Sequence, residues 1–250
     1  MQDTYIGDEG KGFPLVLVHG FLGSSKMWKP QIDFFKNYFR VITPDLPGYG
    51  ESNQAKSHNS IQSIANLLLD CLEEKKINKF HLLGHSMGGM IVQEMAKKVG
   101  GKISKLVCYS TGPRGEMPER FETVDQSREN LKKKGLEETA KNIAKTWFIK
   151  GEDAKYFDIY INAGKQTSME TADNSLVAIK NWNGVDTLKN IKNETLIVWG
   201  DQDKSYNLEQ IQILEHNIEN SKLIIFKNCA HNVHLEQPGQ FNNTVKDFLS

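Results

Sequence analysis

The feature that most constrains the fold is an alternation of short apolar runs with amphipathic helical stripes. The apolar runs lie at 13–18, 40–43, 80–83, 103–109, 195–199 and 223–226. Helical stripes, whose apolar residues recur every three or four positions, lie at 26–38, 61–72, 87–98, 208–218 and 238–249. Strands that alternate with helices form parallel sheets covered on both faces. The pattern therefore predicts an α/β protein with a mostly parallel, doubly wound sheet.

A long segment between the fourth and fifth apolar runs interrupts this alternation. The 85 residues from Ser110 to Glu194 exceed by roughly 60 what one helix and two short loops need. Two helical stripes inside the segment argue against a linker, and their apolar members are Leu136, Ala140, Ile143 and Trp147, then Met169, Ala172, Leu176 and Ile179. We predict an α/β core formed by 1–112 and 183–250, and a helical cap formed by 113–182. A helical decoration remote from the site is the alternative.

Composition and charge restrict the partners of the chain. Its 250 residues suit one α/β domain, and the 31 basic residues balance the 31 acidic ones, which argues against nucleic acid as a partner. No stretch approaches the roughly 20 apolar residues of a membrane span, and the first residues lack the pattern of a secretory signal. Three scattered cysteines do not form a disulfide framework. We expect a cytoplasmic protein that binds neither nucleic acid nor membrane.

Ser86 is the candidate nucleophile. It lies at the centre of the sequence GHSMG at 84–88, between a predicted strand and a predicted helix. A sharp turn there strains the backbone of the serine and raises its side chain above the sheet, while the glycines leave room for close packing. The N-terminus of the following helix favours developing negative charge. The segment lacks the Lys-Ser/Thr of a phosphate-binding loop, so we expect no nucleotide site.

A serine hydroxyl needs a base, and two later loops supply candidates. Asp201 and Asp203 follow the run 195–199, and His231 follows the run 223–226. The ends of parallel strands share one edge of a sheet, so these groups are expected near Ser86. The spacing of His231, His234 and Glu236 also permits a metal site, but no further cluster of ligands accompanies it, and we predict no metal.

Five motifs in this order resemble the α/β-hydrolase superfamily, in its serine-nucleophile branch of carboxylesterases and lactonases, over nearly the whole chain. They are HGFLG at 19–23, DLPGYGES at 45–52, GHSMGG at 84–89, WGDQD at 199–203 and HNVHLEQP at 231–238. The resemblance implies a cap inserted after the sixth strand. It also implies that Asp203, rather than Asp201, is the acid and that His231 is the base. The backbone N–H groups of Phe21 and Met87 are then expected to form an oxyanion hole.

Further side chains are candidates for contact with the substrate. They are Leu22 beside the expected oxyanion hole, Trp147, Phe148 and Trp182 in the cap, His234 as a pocket-wall or structural residue, and Arg114 at the start of the cap. Arg114 directly follows the fourth apolar run, and a guanidinium there would bind a substrate carboxylate. The simpler interpretation is a surface arginine paired with Glu116 or Glu119.

These residues predict a serine hydrolase that cleaves carboxylic esters of small to medium, mostly apolar acyl groups through a Ser-His-Asp triad and an acyl-enzyme, with no cofactor. The serine excludes the chemistries of this fold that use a carboxylate nucleophile. The alternatives are a lactonase or a lyase similar to the menaquinone-pathway synthase, acting on an anionic substrate, and then a C–C bond hydrolase. The non-enzymatic alternative is a ligand-binding receptor built on a hydrolase scaffold.

Overall fold

A seven-stranded sheet forms the centre of the computed structural model, which describes residues 4–115, 117 and 119–250. In chain order its strands are β1 (Ile6–Glu9), β2 (Pro14–Val18), β3 (Arg40–Pro44), β4 (Phe80–His85), β5 (Ile103–Tyr109), β6 (Glu194–Gly200) and β7 (Ser221–Phe226). Their order across the sheet is β1-β3-β2-β4-β5-β6-β7. Among the strand pairs of the described residues, only β1–β3 is antiparallel. The predicted α/β class and mostly parallel sheet are confirmed.

Helices cover both faces of the sheet. They are α1 (Lys29–Phe35), α2 (Ile61–Glu74), α3 (Met87–Val99), α4 (Val124–Lys134), α5 (Leu136–Ala144), α6 (Phe157–Gln166), α7 (Met169–Asn181), α8 (Leu208–Asn217), α9 (Val233–Glu236) and α10 (Pro238–Leu249). All six residues of β4 are buried, as expected for a central strand covered on both sides. No helix of the described residues combines the length and apolarity required to cross a bilayer.

The sequence did not predict β1. Its four residues, IGDE, contain one aliphatic side chain, so they give neither an apolar run nor a clear alternation. The strand is held at the edge of the sheet by its pairing with β3 and by Arg40, whose Nε and Nη2 donate to the carboxylate of Asp8 at 2.9 and 2.6 Å.

Four helices, α4 to α7, lie between β5 and β6. The insertion therefore follows the fifth strand of this sheet and not the sixth, because the described residues before Pro14 form β1 alone. Several buried hydrogen bonds join the inserted segment to the rest of the fold. Three of them, each between two side chains, run from Tyr49 to Ser175 (2.8 Å), from Tyr160 to Asn232 (2.8 Å) and from Trp182 to Glu94 (2.9 Å). The division into a core and a cap at residues 113–182 stays a prediction.

Candidate active site

Ser86 occupies a strained turn between β4 and α3. Its φ of 55° and ψ of −118° lie in a region that residues with a side chain rarely adopt. The turn is held to the end of β5, because the Ser86 N–H donates to the carbonyl of Tyr109 at 2.9 Å and the Thr111 hydroxyl donates to the carbonyl of Ser86 at 2.8 Å. The serine is thereby fixed at the C-terminal edge of the sheet.

The glycines around Ser86 permit a very close approach of strand and helix. A Cβ on Gly84 would lie 2.3 Å from the carbonyl oxygen of Gly88, and a Cβ on Gly88 would lie 2.3 Å from that of Val18. Neither position admits a side chain without movement of backbone. These contacts explain the GxSxG pattern physically, since the sharp turn and the packing of α3 on β2 both depend on it.

The turn after β2 lies beside Ser86. A Cβ on Gly20 would lie 3.0 Å from the Cβ of Ser86, so the neighbouring Phe21 borders the serine. In the described part of the chain, neither the Phe21 N–H nor the Met87 N–H donates to another backbone carbonyl. Met87 opens α3 and has no acceptor within the helix. Two free amides next to a nucleophile are the donors that a developing oxyanion requires.

His19 organises this turn. Its Nε2 accepts a hydrogen bond from the Leu46 N–H at 2.9 Å, and its Nδ1 lies 2.8 Å from the carbonyl oxygen of Gly20. Burial lowers the pKa of His19, which keeps the ring neutral and suits one donating and one accepting nitrogen.

His231 and Asp203 form a buried pair on the same edge of the sheet. Nδ1 of His231 donates to Oδ2 of Asp203 at 2.8 Å, and the two side chains are 1% and 0% exposed. Oδ1 of Asp203 accepts from the Ser205 N–H at 2.7 Å, so both carboxylate oxygens are oriented. Nε2 of His231 is buried and has no hydrogen-bond partner among the described residues. That nitrogen is therefore free to accept a proton.

Asp201 has a different position. Its Oδ2 lies 3.6 Å from Nζ of Lys227, whose side chain is 76% exposed. The structure thus pairs Asp203, and not Asp201, with the histidine.

Aromatic rings and backbone contacts fix the orientation of His231. The ring of Tyr206 stacks on its imidazole at a centroid distance of 5.9 Å, and the ring of Trp147 lies 5.6 Å away. The Asn232 N–H, in the same loop, donates to the carbonyl of Trp147 at 3.1 Å. Nε2 of His85 lies 3.2 Å from the carbonyl oxygen of His231 and donates to it.

A small cavity lies above Ser86. Its volume of about 20 Å³ leaves room for about one water molecule. Its apolar wall is formed by Phe21, Met117, Val124, Trp147, Leu176 and Ile179. The polar side chains at the cavity are Ser86, Arg120, Ser205 and Tyr206. A nucleophile bordered by apolar side chains and a few polar groups is typical of small-molecule sites, although this cavity is much smaller than the roughly 300–1,000 Å³ that is usual for them.

The family of the chain follows from a comparison with family models. The model described as alpha/beta hydrolase fold matches residues 14–238. The chain belongs to the alpha/beta hydrolase family. The family that the five motifs indicated is thereby confirmed.

Relatives of this hydrolase have several activities by name. The chain is 28% identical to the pimeloyl-[acyl-carrier protein] methyl ester esterase of Legionella pneumophila, over 99% of its own length and 100% of the relative. It is 24% identical to the (E)-2-((N-methylformamido)methylene)succinate hydrolase of Acinetobacter baylyi, over 97% and 92%. Its fold matches that of the esterase EaEST of Exiguobacterium antarcticum with a TM-score of 0.91 and 25% identity, over 99% and 96% of the two chains.

Of the six side chains predicted to contact the substrate, only Trp147 borders the cavity above Ser86 within the described part of the hydrolase. Phe148, the next residue, lines a separate hollow of about 430 Å³ together with Tyr156 and Pro238. Trp182 is 2% exposed, and its indole N–H donates to Glu94. Leu22 is 1% exposed beneath the turn after β2. These three side chains pack in the interior or face another hollow, so the structure does not place them at the nucleophile.

His234 is a core residue of the hydrolase. It is fully buried, its Nδ1 lies 2.8 Å from the hydroxyl of Tyr109, and its ring packs 4.8 Å from that of Trp28. Burial lowers its pKa well below the ordinary value, so it stays neutral. The structure favours the structural interpretation of His234 over a place in the pocket wall.

The nearby Glu236 carboxylate accepts from the N–H groups of Ile149 and Ala230 at 2.8 and 2.7 Å, so it ties the inserted segment to the loop of His231. Within the described ranges, no three His, Cys, Asp or Glu side chains converge as a metal-ligand set.

Arg114 also lies away from the cavity. It forms an isolated antiparallel bridge with Asn183, and its Nε has no partner within the described residues. Of its two predicted partners, Glu116 lies outside the described residues, and Glu119 accepts a hydrogen bond from Asn207 at 2.9 Å.

Among the polar residues at the cavity of the hydrolase, Arg120, Ser205 and Tyr206 were not predicted from sequence. Tyr206 follows Asp203 by three positions, in the loop that supplies the acid, and this closeness was the available signal. Burial raises the pKa of Tyr206, and hydrogen bonding with the side chains of Ser86 and Thr111 partly offsets the rise. Its phenol therefore stays protonated beside the nucleophile.

Proposed function

We propose that the chain is a serine hydrolase that cleaves carboxylic esters of small to medium, mostly apolar acyl groups. The observation that carries the proposal is the arrangement at one sheet edge of Ser86 in its strained turn and His231 paired with Asp203 at 2.8 Å. This set of groups supplies a nucleophile, a base and an orienting acid.

In the first half of the reaction Ser86 Oγ attacks the acyl carbon while Nε2 of His231 removes its proton. The carboxylate of Asp203 stabilises the imidazolium that forms, and the N–H groups of Phe21 and Met87 donate to the oxyanion of the tetrahedral intermediate. His231 then gives its proton to the oxygen of the leaving alcohol. The C–O bond breaks, and the acyl group stays on Ser86.

In the second half water takes the place of the alcohol. Nε2 of His231 removes a proton from water as the water oxygen attacks the acyl carbon, and the same amides hold the new oxyanion. Collapse of this intermediate returns the proton to Ser86 and releases the carboxylic acid. The partial positive charge at the N-terminus of α3, a helix of 13 residues, favours the negative charge that develops in both halves.

The cavity and the relatives support the substrate class. The apolar side chains of the wall favour an apolar acyl chain, and the wall must move to admit one, because the cavity as it stands has room for about one water molecule. The relative named as a methyl ester esterase and the structural neighbour named as an esterase both fit an ester bond. We further propose that 113–182 acts as a cap, since Trp147, Leu176 and Ile179 from this segment border the cavity.

The test is a hydrolysis panel on the wild type and on Ser86→Ala. It contains short and long 4-nitrophenyl esters, lactones and a vinylogous diketone. We expect short esters to be cleaved with a burst of 4-nitrophenol, and the variant to lose several orders of magnitude in kcat. A variant that keeps more than about a tenth of the wild-type kcat would contradict the assignment of the nucleophile. If the wild type turned over a lactone or the diketone faster than any ester, the proposed ester specificity would be wrong.

A further inference from the structure

Arg120 is the only charged side chain of the described residues that borders the cavity above Ser86. It lies just before α4, and its guanidinium carbon sits 4.3 Å from the ring centre of Phe121. Stacking of this kind stabilises the cation and limits its rotation. A positive charge is therefore held at the wall of the same small cavity as the nucleophile.

One edge of this guanidinium is already occupied. Nη1 donates to the carbonyl of Glu122 at 2.6 Å and to the hydroxyl of Ser127 at 2.9 Å. A guanidinium carries five N–H groups, two of them on Nη1. The other three, on Nε and Nη2, have no protein acceptor within the described residues. The edge formed by Nε and Nη2 therefore has hydrogen-bonding capacity that no described residue uses.

Two other arginines of the chain show that the edge formed by Nε and Nη2 binds carboxylates. Arg40 donates from Nε and Nη2 to both carboxylate oxygens of Asp8, at 2.9 and 2.6 Å. Arg128 donates from the same two nitrogens to both oxygens of Asp173, at 2.7 and 3.1 Å. Two N–H groups in one plane match the two oxygens of a carboxylate.

Among the residues that the structure describes, no carboxylate fills this place at Arg120. The nearest acidic residues in sequence, Glu119 and Glu122, are engaged otherwise. Oε2 of Glu119 accepts from the Asn207 amide at 2.9 Å. Oε1 of Glu122 accepts from the Ser127 hydroxyl at 2.5 Å, and its Oε2 accepts from the Asn130 amide at 2.9 Å. Burial lowers the pKa of Arg120, which reflects the cost of holding its charge away from water. A substrate anion would offset that cost.

We propose that Arg120 binds a carboxylate at the far end of the acyl group through Nε and Nη2. The preferred substrates are then monoesters of short dicarboxylic acids, apolar along the chain and anionic at its end. The carboxylate belongs to the acyl part because that part stays on Ser86, in the cavity both residues border, while the alcohol departs. This inference rests on the proposed ester hydrolysis, and it gives Arg120 the role that the sequence suggested for Arg114.

The test compares anionic with neutral esters. The anionic series consists of the mono-4-nitrophenyl esters of succinic, glutaric and adipic acids, and the neutral series of 4-nitrophenyl butyrate, pentanoate and hexanoate. Spontaneous hydrolysis is subtracted with Ser86→Ala. We expect Arg120→Met to lower kcat/KM for the best anionic ester by about 10- to 150-fold, the range for hydrogen bonds to a charged group. The neutral esters are expected to change less than about threefold.

Two further variants sharpen this result. Arg120→Lys keeps the charge but not the planar fork, so we expect an intermediate loss confined to the anionic series. Arg114→Met is the matched control, an arginine six positions earlier that does not border the cavity, and it is expected to leave the ratio between the two series unchanged. Equal loss on both series at Arg120, or a selective loss at Arg114, would overturn the proposal.

Binding separates this inference from the proposed function. Glutarate is titrated by calorimetry into Ser86→Ala, with and without Arg120→Lys or Arg120→Met. If Ser86 cleaves esters but glutarate neither binds nor competes, the carboxylate site is wrong and the hydrolase stands. If glutarate binds and Arg120→Met abolishes its binding while no ester is cleaved, the ester function is wrong and the carboxylate site stands. Because Arg120 also holds Glu122 and Ser127, the Lys variant decides the question if the Met variant does not fold.

Discussion

The replacement of Asp203 by asparagine tests the proposed acid most directly. Oδ1 of Asp203 accepts from the Ser205 N–H at 2.7 Å, so an asparagine places its carbonyl oxygen there. Its NH2 group then faces Nδ1 of His231, 2.8 Å from the present Oδ2. Two donors would oppose each other, and the imidazole would respond by moving its proton to Nε2.

That change of tautomer removes the base. With the proton on Nε2, His231 cannot take one from Ser86, and the amide offers no charge to stabilise an imidazolium. The pair is buried, so water does not replace the lost charge. We expect kcat for 4-nitrophenyl butyrate to fall by about 10⁴-fold, the size of this effect in serine proteases, with the thermal unfolding temperature recorded to show that the variant is folded.

Asp201→Asn is the matched control, because Asp201 faces the exposed Lys227 at 3.6 Å and does not touch the histidine. We expect its kcat to stay within about twofold of the wild type, since the Asp201 carboxylate pairs with Lys227 and takes no part in orienting the imidazole. Retention of more than a tenth of the activity in Asp203→Asn, or an equal loss in both variants, would refute the reasoning.

Three further predictions concern stability. Gly88→Ala is expected to lower the free energy of unfolding by about 1–3 kcal/mol, because the new Cβ would lie 2.3 Å from the Val18 carbonyl oxygen. The control is Gly239→Ala in α10, where no atom lies within 4 Å of the new Cβ, and we expect it to raise the free energy of unfolding by up to about 1 kcal/mol. Urea titrations that give equal changes for the two variants would contradict the close-packing argument. Tyr160→Phe is expected to cost about 1–3 kcal/mol, because Asn232 loses its 2.8 Å partner in a buried site; an unchanged urea midpoint would show that this bond contributes nothing. Asp8→Asn is expected to lower the free energy of unfolding on the order of 1 kcal/mol or less at pH 7, and by progressively less as the pH falls below 3.8. Hydrogen bonding to Arg40 lowers the pKa of Asp8, so its contribution is present above 3.8 and is lost as the pH falls through the folded pKa; a loss that does not diminish as the pH falls would exclude this linkage.

Local sequence patterns predicted the elements around Ser86 well, for physical reasons. An apolar run followed by a glycine-rich turn and a helical stripe defines a strand, an elbow and a helix within about twenty residues. β1 escaped prediction because IGDE is short and half exposed, and it is a strand only through its pairing with β3.

The walls of the cavity were harder to predict. A helical stripe shows which face of a helix is buried, but not which hollow it borders, so adjacent Trp147 and Phe148 were assigned to one site although they border two hollows. The path of the loop before α4 decides that Arg120 rather than Arg114 reaches the cavity, and that path depends on tertiary packing. Tyr206 is a single ring in a loop and belongs to no periodic pattern.

The contacts between the inserted segment and the loop of His231 bear on how this chain can be re-engineered. Trp147 accepts from the Asn232 N–H, Tyr160 donates to the Asn232 side chain, and Glu236 accepts from the Ile149 N–H. A chimera that received only the inserted helices of another hydrolase would lose the partners that orient its own histidine. Specificity and turnover are therefore expected to change together in such a graft, unless residues 229–236 are transplanted with the helices.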